Sequence, residues 1–268
     1  MKHILSSVAL AVMAMSAHAD SVPVLLTING FEHGTALSGT MTIDPVGLSN
    51  TDSISATGAV SALDITVNDG IFTQNFLAYC IELLAPTANF GVPAEYTMNS
   101  NPFLGAFSIP YSVRQQDRLT KLFVKNALTA GGTFSGGTAD KTASAAMQLS
   151  IWEIIYDDAN FGDLSAGAFG VNAGEFYSTS VSGARAVAEN LMFGLDTYNI
   201  GNYTVSFTSF NAGGAKSGQQ DFLSASLNAG DSCTIGNDCE VPEPNSLAIG
   251  ATGLMGLVFL RRRLAKSA

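Results

Sequence analysis

The sequence predicts an α+β protein: a β-rich sandwich or barrel-like domain with an inserted helical subdomain at about residues 113–196. Three observations predict it. Short apolar–polar alternations, punctuated by Gly, Asn, Asp and Pro, fill the first part of the chain, as half-buried strands and tight turns do. The period then lengthens to the helical one over three stretches. Clean alternation returns at 203–210. Strands, three helices and strands again argue for one β domain interrupted by helices.

Residues 22–31 read as a strand ending at Asn29-Gly30, and 39–44 as its partner, stopped by Pro45. Residues 59–67 alternate up to the turn Asn68-Asp69-Gly70. Residues 72–83 alternate loosely and hold Tyr79-Cys80-Ile81-Glu82. The Gly/Pro/Asn-rich stretch 86–110 reads as a long surface loop. A helix is expected over 113–128, with Val113, Leu119, Leu122, Phe123 and Asn126 sharing a face, and a flexible Gly-rich break over 129–138. The next helix starts near Asp140 or Thr142 as caps. It sets Ala145, Gln148, Leu149, Ile151, Trp152, Ile155 and Tyr156 on one broad face. Residues 157–174 read as loop, 180–196 as a third helix, and 219–225 as one more strand.

Both ends carry signals. Met1-Lys2-His3, an apolar run to Met15 and Ala17-His18-Ala19 make a secretory signal peptide over 1–19, cut after Ala19. A domain over 20–230 and a linker over 231–241 follow. The chain closes with Pro242-Glu243-Pro244, an uncharged run over 245–260 and Arg261-Arg262-Arg263. That run is short for a membrane-spanning helix, which needs roughly 17–25 residues. The arginines favour an inside-facing end. The segment 242–268 resembles the PEP-CTERM sorting signal of Gram-negative, exopolysaccharide-making bacteria. The resemblance implies processing by an exosortase-type membrane peptidase. It also implies transient anchoring in the inner membrane and delivery to the cell surface or extracellular matrix.

Residues 20–243 hold 7 basic and all 22 acidic residues, a formal charge of −15. A surface that acidic argues against nucleic acid and anionic lipid as partners and leaves the tail as the only membrane contact. No His/Cys metal cluster, nucleophile elbow, phosphate loop or dinucleotide fingerprint is present, so neither a metal nor a cofactor is expected. Three cysteines in an exported chain is an informative odd number. Cys233 and Cys239 flank a polar loop that can close a small disulfide ring. Cys80 is left over, as a buried inert thiol, as a partner of one of the other two, or as a reactive group.

Gln148 stands in an apolar stripe, where an amide without hydrogen bonds costs roughly 1–3 kcal/mol. A thiol and a glutamine side chain pressed together in a dry site can exchange ammonia for a Cys–Gln thioester. Such a bond is a stored electrophile for an amine or hydroxyl on a partner. Tyr79-Cys80-Ile81-Glu82, followed by Ala145-Ala146-Met147-Gln148-Leu149-Ser150-Ile151-Trp152-Glu153, resembles the two halves of the thioester domain of bacterial surface adhesins. The resemblance spans about residues 70–200. It implies that Cys80 and Gln148 form the bonded pair, with Tyr79 and Trp152 packed at it. Met147 and Ser150 depart from that pattern, which often has Thr and Ala there. The expectation is a single-turnover capture protein, not an enzyme, acting on a surface or matrix partner in adhesion or biofilm. The alternatives are an unreactive structural matrix protein and an exported hydrolase using His33 with a carboxylate.

Overall fold

Two sheets share one helix. The computed structural model describes residues 21–43, 54–83, 85, 87–100, 102–103, 111–157, 176–178, 181, 183–212 and 219–230. The predicted signal peptide, the Cys233–Cys239 pair, the Pro242-Glu243-Pro244 motif, the membrane run and Arg261 to Arg263 lie outside the described residues. Contacts divide the chain after Gly230, and every described residue belongs to the unit Met1–Gly230.

The strands are β1 (Ser21–Phe31), β2 (Leu37–Ile43), β3 (Ile54–Val60), β4 (Leu63–Asn68), β5 (Thr73–Cys80), β6 (Ala94–Asn99), β7 (Phe176–Ser178), β8 (Tyr203–Asn211) and β9 (Phe222–Ala229). The helices are α1 (Val113–Thr129), α2 (Lys141–Asp157) and α3 (Ala184–Met192). Six strands close a barrel in the order β1-β4-β5-β9-β8-β6, and β3-β2-β7 form a second sheet. Every strand pair is antiparallel. The α+β expectation holds, and of the two β architectures the barrel is the one formed. Alternate residues of β1, Val24, Leu26 and Ile28, point inward and are buried, with Ile28 opposite Ile65 of β4. That pattern follows from the two-residue period of the pleat.

Four sequence expectations about the elements change. The stretch expected to partner β1 is β2, which lies in the small sheet and pairs with β3 and β7, while β1 pairs with β4 and β6. The strand expected over 59–67 is two strands in different sheets, turning at Ser61 and Ala62. Ser144 of α2 holds the crossing: its hydroxyl lies 2.9 Å from that of Ser61 and accepts the Ala62 N–H at 2.8 Å. The loop expected over 86–110 contains β6. Its neighbours β1 and β8 supply the pairing, an example of long-range context deciding strand formation. The third helix stops at Met192. Gly194 takes a left-handed conformation (φ 70°) before a 3-10 turn, Leu195–Thr197.

The Gly-rich stretch 129–138 is strapped down rather than flexible. β5 meets β9 only through Tyr79–Leu223 and Cys80–Phe222, and the stretch docks beside that short seam. The Leu227 N–H donates to Phe134 O at 2.6 Å. The Tyr79 hydroxyl donates to Gly136 O at 2.8 Å, and Asn126 Nδ2 to Gly137 O at 3.1 Å. Gly136 needs to be glycine: its φ is 81°, and a Cβ there would lie 2.7 Å from Ala225 O.

α1 begins at a capping box: Ser112 Oγ accepts the Gln115 N–H at 3.1 Å, and Gln115 Oε1 accepts the Ser112 N–H at 2.7 Å. The Gln115 amide nitrogen also donates to Ile154 O and Ile155 O near the C-terminal end of α2. Leu119, Leu122, Phe123 and Asn126 are buried as expected, whereas Val113 is exposed. Asp140 caps α2, its Oδ1 accepting the Thr142 and Ala143 N–H groups at 2.7 and 2.9 Å. α2 was expected to bury one face, but residues 143–154 are buried all round. It packs on α1 and α3, on β2, β3 and β7 of the small sheet, and on β5 of the barrel. A helix enclosed on every side tolerates polar residues only where each finds a partner.

Candidate functional site

α2 meets the end of β5 through a stripe of three side chains spaced four apart, Gln148, Trp152 and Tyr156, which share a face by helical geometry. Gln148 is fully buried and binds the Cys80 backbone twice. The Cys80 N–H donates to Gln148 Oε1 at 2.9 Å, and Gln148 Nε2 donates to Cys80 O at 2.7 Å. Two turns along, the Tyr156 hydroxyl repeats the pattern. It accepts the Leu83 N–H at 3.0 Å and donates to Ile81 O at 3.2 Å. The helix thus pairs with residues 80–83 where the β5 ladder ends, and supplies partners to four of their backbone groups.

Cys80 is a free, buried thiol. Burial pushes its pKa far above the ordinary thiol value. Tyr79, adjacent on the strand, points the other way, to the outer face of the barrel wall, where it packs edge-on against Phe123 of α1 at 5.6 Å. Its hydroxyl is also shifted well upward, by burial first and then by the charge of Glu32. Trp152 packs against Phe176 at 6.3 Å, and Phe176 stacks on Tyr156 at 6.4 Å. Met147 and Ser150, the two departures from the adhesin pattern, are both buried. The Ser150 hydroxyl donates back to Ala146 O at 2.9 Å and leaves Gln148 untouched.

The residues singled out in sequence thus meet: Cys80 and Gln148 are in contact, Trp152 lies one turn from Gln148, and Tyr79 is beside Cys80 but on the opposite face. Sequence reasoning missed three contributors. Tyr156 was placed on the stripe without a role, although its spacing of eight from Gln148 signals one. Ser144, which holds the strand crossing, and Gln220, whose amide nitrogen donates to Glu82 O, carried no local signal.

Chemically, the Gln148 carbonyl already receives a backbone N–H, the kind of donor that stabilises negative charge developing on oxygen. The carboxamide is held against the residue that bears the thiol. His33, the centre of the hydrolase alternative, is engaged elsewhere: its Nε2 lies 3.1 Å from Thr138 Oγ1 and 3.5 Å from Glu32 Oε2. Glu32 also accepts the Thr138 N–H and hydroxyl, both at 2.6 Å. That cluster ties the Gly-rich stretch to the end of β1. Among the described residues no group of three His, Cys, Asp or Glu side chains could hold a metal ion. Among them, too, no helix is long and apolar enough to cross a membrane.

The fold and contact define an α+β domain built on a closed antiparallel barrel, with a buried cysteine and glutamine joined across strand and helix. Residues 240–263 match the PEP-CTERM protein-sorting motif, which implies export, surface sorting and processing by an exosortase-type peptidase. Two solved structures are similar to the chain. One is the N-terminal thioester domain of fibronectin-binding protein SfbI from Streptococcus pyogenes, at 14% identity over 74% of this chain and 96% of that one, TM-score 0.37. The other is the N-terminal domain of the Streptococcus pyogenes pilus tip adhesin Cpa, at 14% identity over 74% and 97%, TM-score 0.34. No curated protein matches.

Proposed function

We propose that this exported, surface-sorted protein forms a Cys80–Gln148 thioester and uses it once, to attach covalently to a nucleophile on a surface or matrix partner. The observation that carries the reading is the reciprocal pair of hydrogen bonds between the Gln148 carboxamide and the Cys80 backbone. They orient the carboxamide beside the thiol and polarise its carbonyl toward attack. The Cys80 sulfur adds to Gln148 Cδ, the S–C bond forms and the C–N bond breaks. The thiol proton leaves with the amide nitrogen as ammonia. Burial disfavours a free thiolate, so the proton moves as the bond forms. Full burial of Gln148 then leaves the product open to water only from the Cys80 side.

A second reading is favoured by Tyr156, which clasps Ile81 and Leu83 as Gln148 clasps Cys80 and has no acyl group to give. On that reading both side chains only seal the end of β5, in a structural protein of the matrix. Attachment separates the two. The full chain and its Cys80→Ala variant are presented to extracellular matrix of the producing cells and washed in high salt and hot detergent. The thioester account expects the native chain to stay and the variant to wash off. Equal retention or equal loss of both sinks it. In the same reading the host is a Gram-negative bacterium and the tail holds the precursor briefly in its inner membrane before the peptidase acts.

A further inference from the structure

A cavity of about 420 Å³ opens beside Cys80, between the end of the barrel and the small sheet. Its volume falls in the range of small-ligand sites, about 300–1,000 Å³. Cys80 and Trp152 line it together with Phe31, Phe90, Thr57 and Gln220. Phe31 and Phe90 meet edge-on at 5.2 Å. Among the described lining residues none carries a charged side chain.

Two polar groups of the lining residues are unused, one of them sealed from the cavity. Trp152 is 2% exposed, and its indole N–H meets no acceptor. Gln220 is 5% exposed, and its amide nitrogen donates to Glu82 O, which fixes the orientation of the carboxamide. Its oxygen has no hydrogen-bond partner among the described residues. The wall therefore offers one spare neutral acceptor beside aromatic faces, with the indole N–H sealed from the open space. A hydroxyl can donate to that acceptor without bringing a charge into the cavity. An ammonium would be stripped of water there with no carboxylate to face.

We infer that the cavity at Cys80 binds a neutral polyhydroxylated ring, a sugar unit, and that a sugar hydroxyl rather than an amine is the nucleophile it presents. The covalent step rests on the thioester reading; occupancy of the cavity does not. In that step the hydroxyl oxygen adds to Gln148 Cδ, the C–O bond forms and the C–S bond breaks. The hydroxyl proton passes to the Cys80 sulfur, leaving an ester on residue 148 and a free thiol.

Trp152 is the only tryptophan of the chain, so its emission reports the cavity directly. The test titrates the full chain, as the Cys80→Ala variant, with methyl glucoside and separately with putrescine. The expected result is a saturable emission change with the glucoside alone, with half-saturation about tenfold higher in Cys80→Ala/Gln220→Leu. No saturable change, or saturation by putrescine at equal or lower concentration, overturns the inference. In the native chain a glucoside ester on residue 148 supports the covalent step. A putrescine amide without the ester overturns the choice of nucleophile while leaving the thioester standing. A native chain that has lost no ammonia removes the thioester, and the emission titration still decides the cavity.

Discussion

Gln148 lies where an unpaired amide would be costly, and both ends of its carboxamide are used on one residue, Cys80. Replacing it with leucine removes both partners from a buried N–H and C=O. Gln148→Leu should therefore destabilise the fold by about 2–4 kcal/mol, read as a lower urea midpoint, and abolish any ammonia loss. Cys80→Ala removes only a small buried side chain and should cost about 1–2 kcal/mol, leaving the fold intact for binding assays. Arg118 sets a separate demand. It is 1% exposed, and its Nε donates to Asp196 Oδ1 at 2.8 Å. Burial works against the Asp196 charge, yet hydrogen bonds and charge from Arg118 and Arg114 leave its pKa below the ordinary carboxylate value. Asp196→Ala leaves a buried guanidinium short of its partner and should lower stability by about 3 kcal/mol, measured by urea unfolding.

At the scale of elements, α2 depends on its cap and on the Gly-rich stretch before it. Two backbone N–H bonds, from Ala143 and Thr142, hold the Asp140 pKa below its ordinary value. A lowered carboxylate pKa means the cap stabilises above the ordinary value and fades as pH falls through the folded one. Asp140→Ala should cost about 1 kcal/mol at neutral pH, and the gap between variant and native urea midpoints should close in acid. Gly136→Ala should cost at least about 2 kcal/mol, because its backbone is left-handed and the new Cβ would press on Ala225 O. The periods of α1 and β8 were legible because a half-buried surface imposes them. The split of 59–67 between two sheets and the existence of β6 were not, since long-range pairing decides both and leaves no local mark. The Gly-rich stretch read as flexible because composition records backbone freedom, not the Tyr79, Asn126 and Leu227 bonds that remove it.

Over the whole molecule, the sorting motif implies delivery to the outside of the cell, and the proposal gives the domain that holds Cys80 and Gln148 a reactive role there. Cys80 and Gln148 were legible as a pair because each was odd in its own context, a leftover thiol and an amide in an apolar stripe. The cavity beside them was not, because Phe31, Phe90 and Gln220 come from distant parts of the chain and only the fold assembles them. The measurement that bears most directly on the account is the intact mass of the full chain under mild, non-reducing conditions, followed by peptide mapping. The account predicts a chain lighter by one ammonia, with the deficit at Cys80 and Gln148, or a glutamate at 148 where water has since opened the bond. Recovery of Gln148 as an intact amide beside Cys80 as a free thiol, throughout the population, would contradict it.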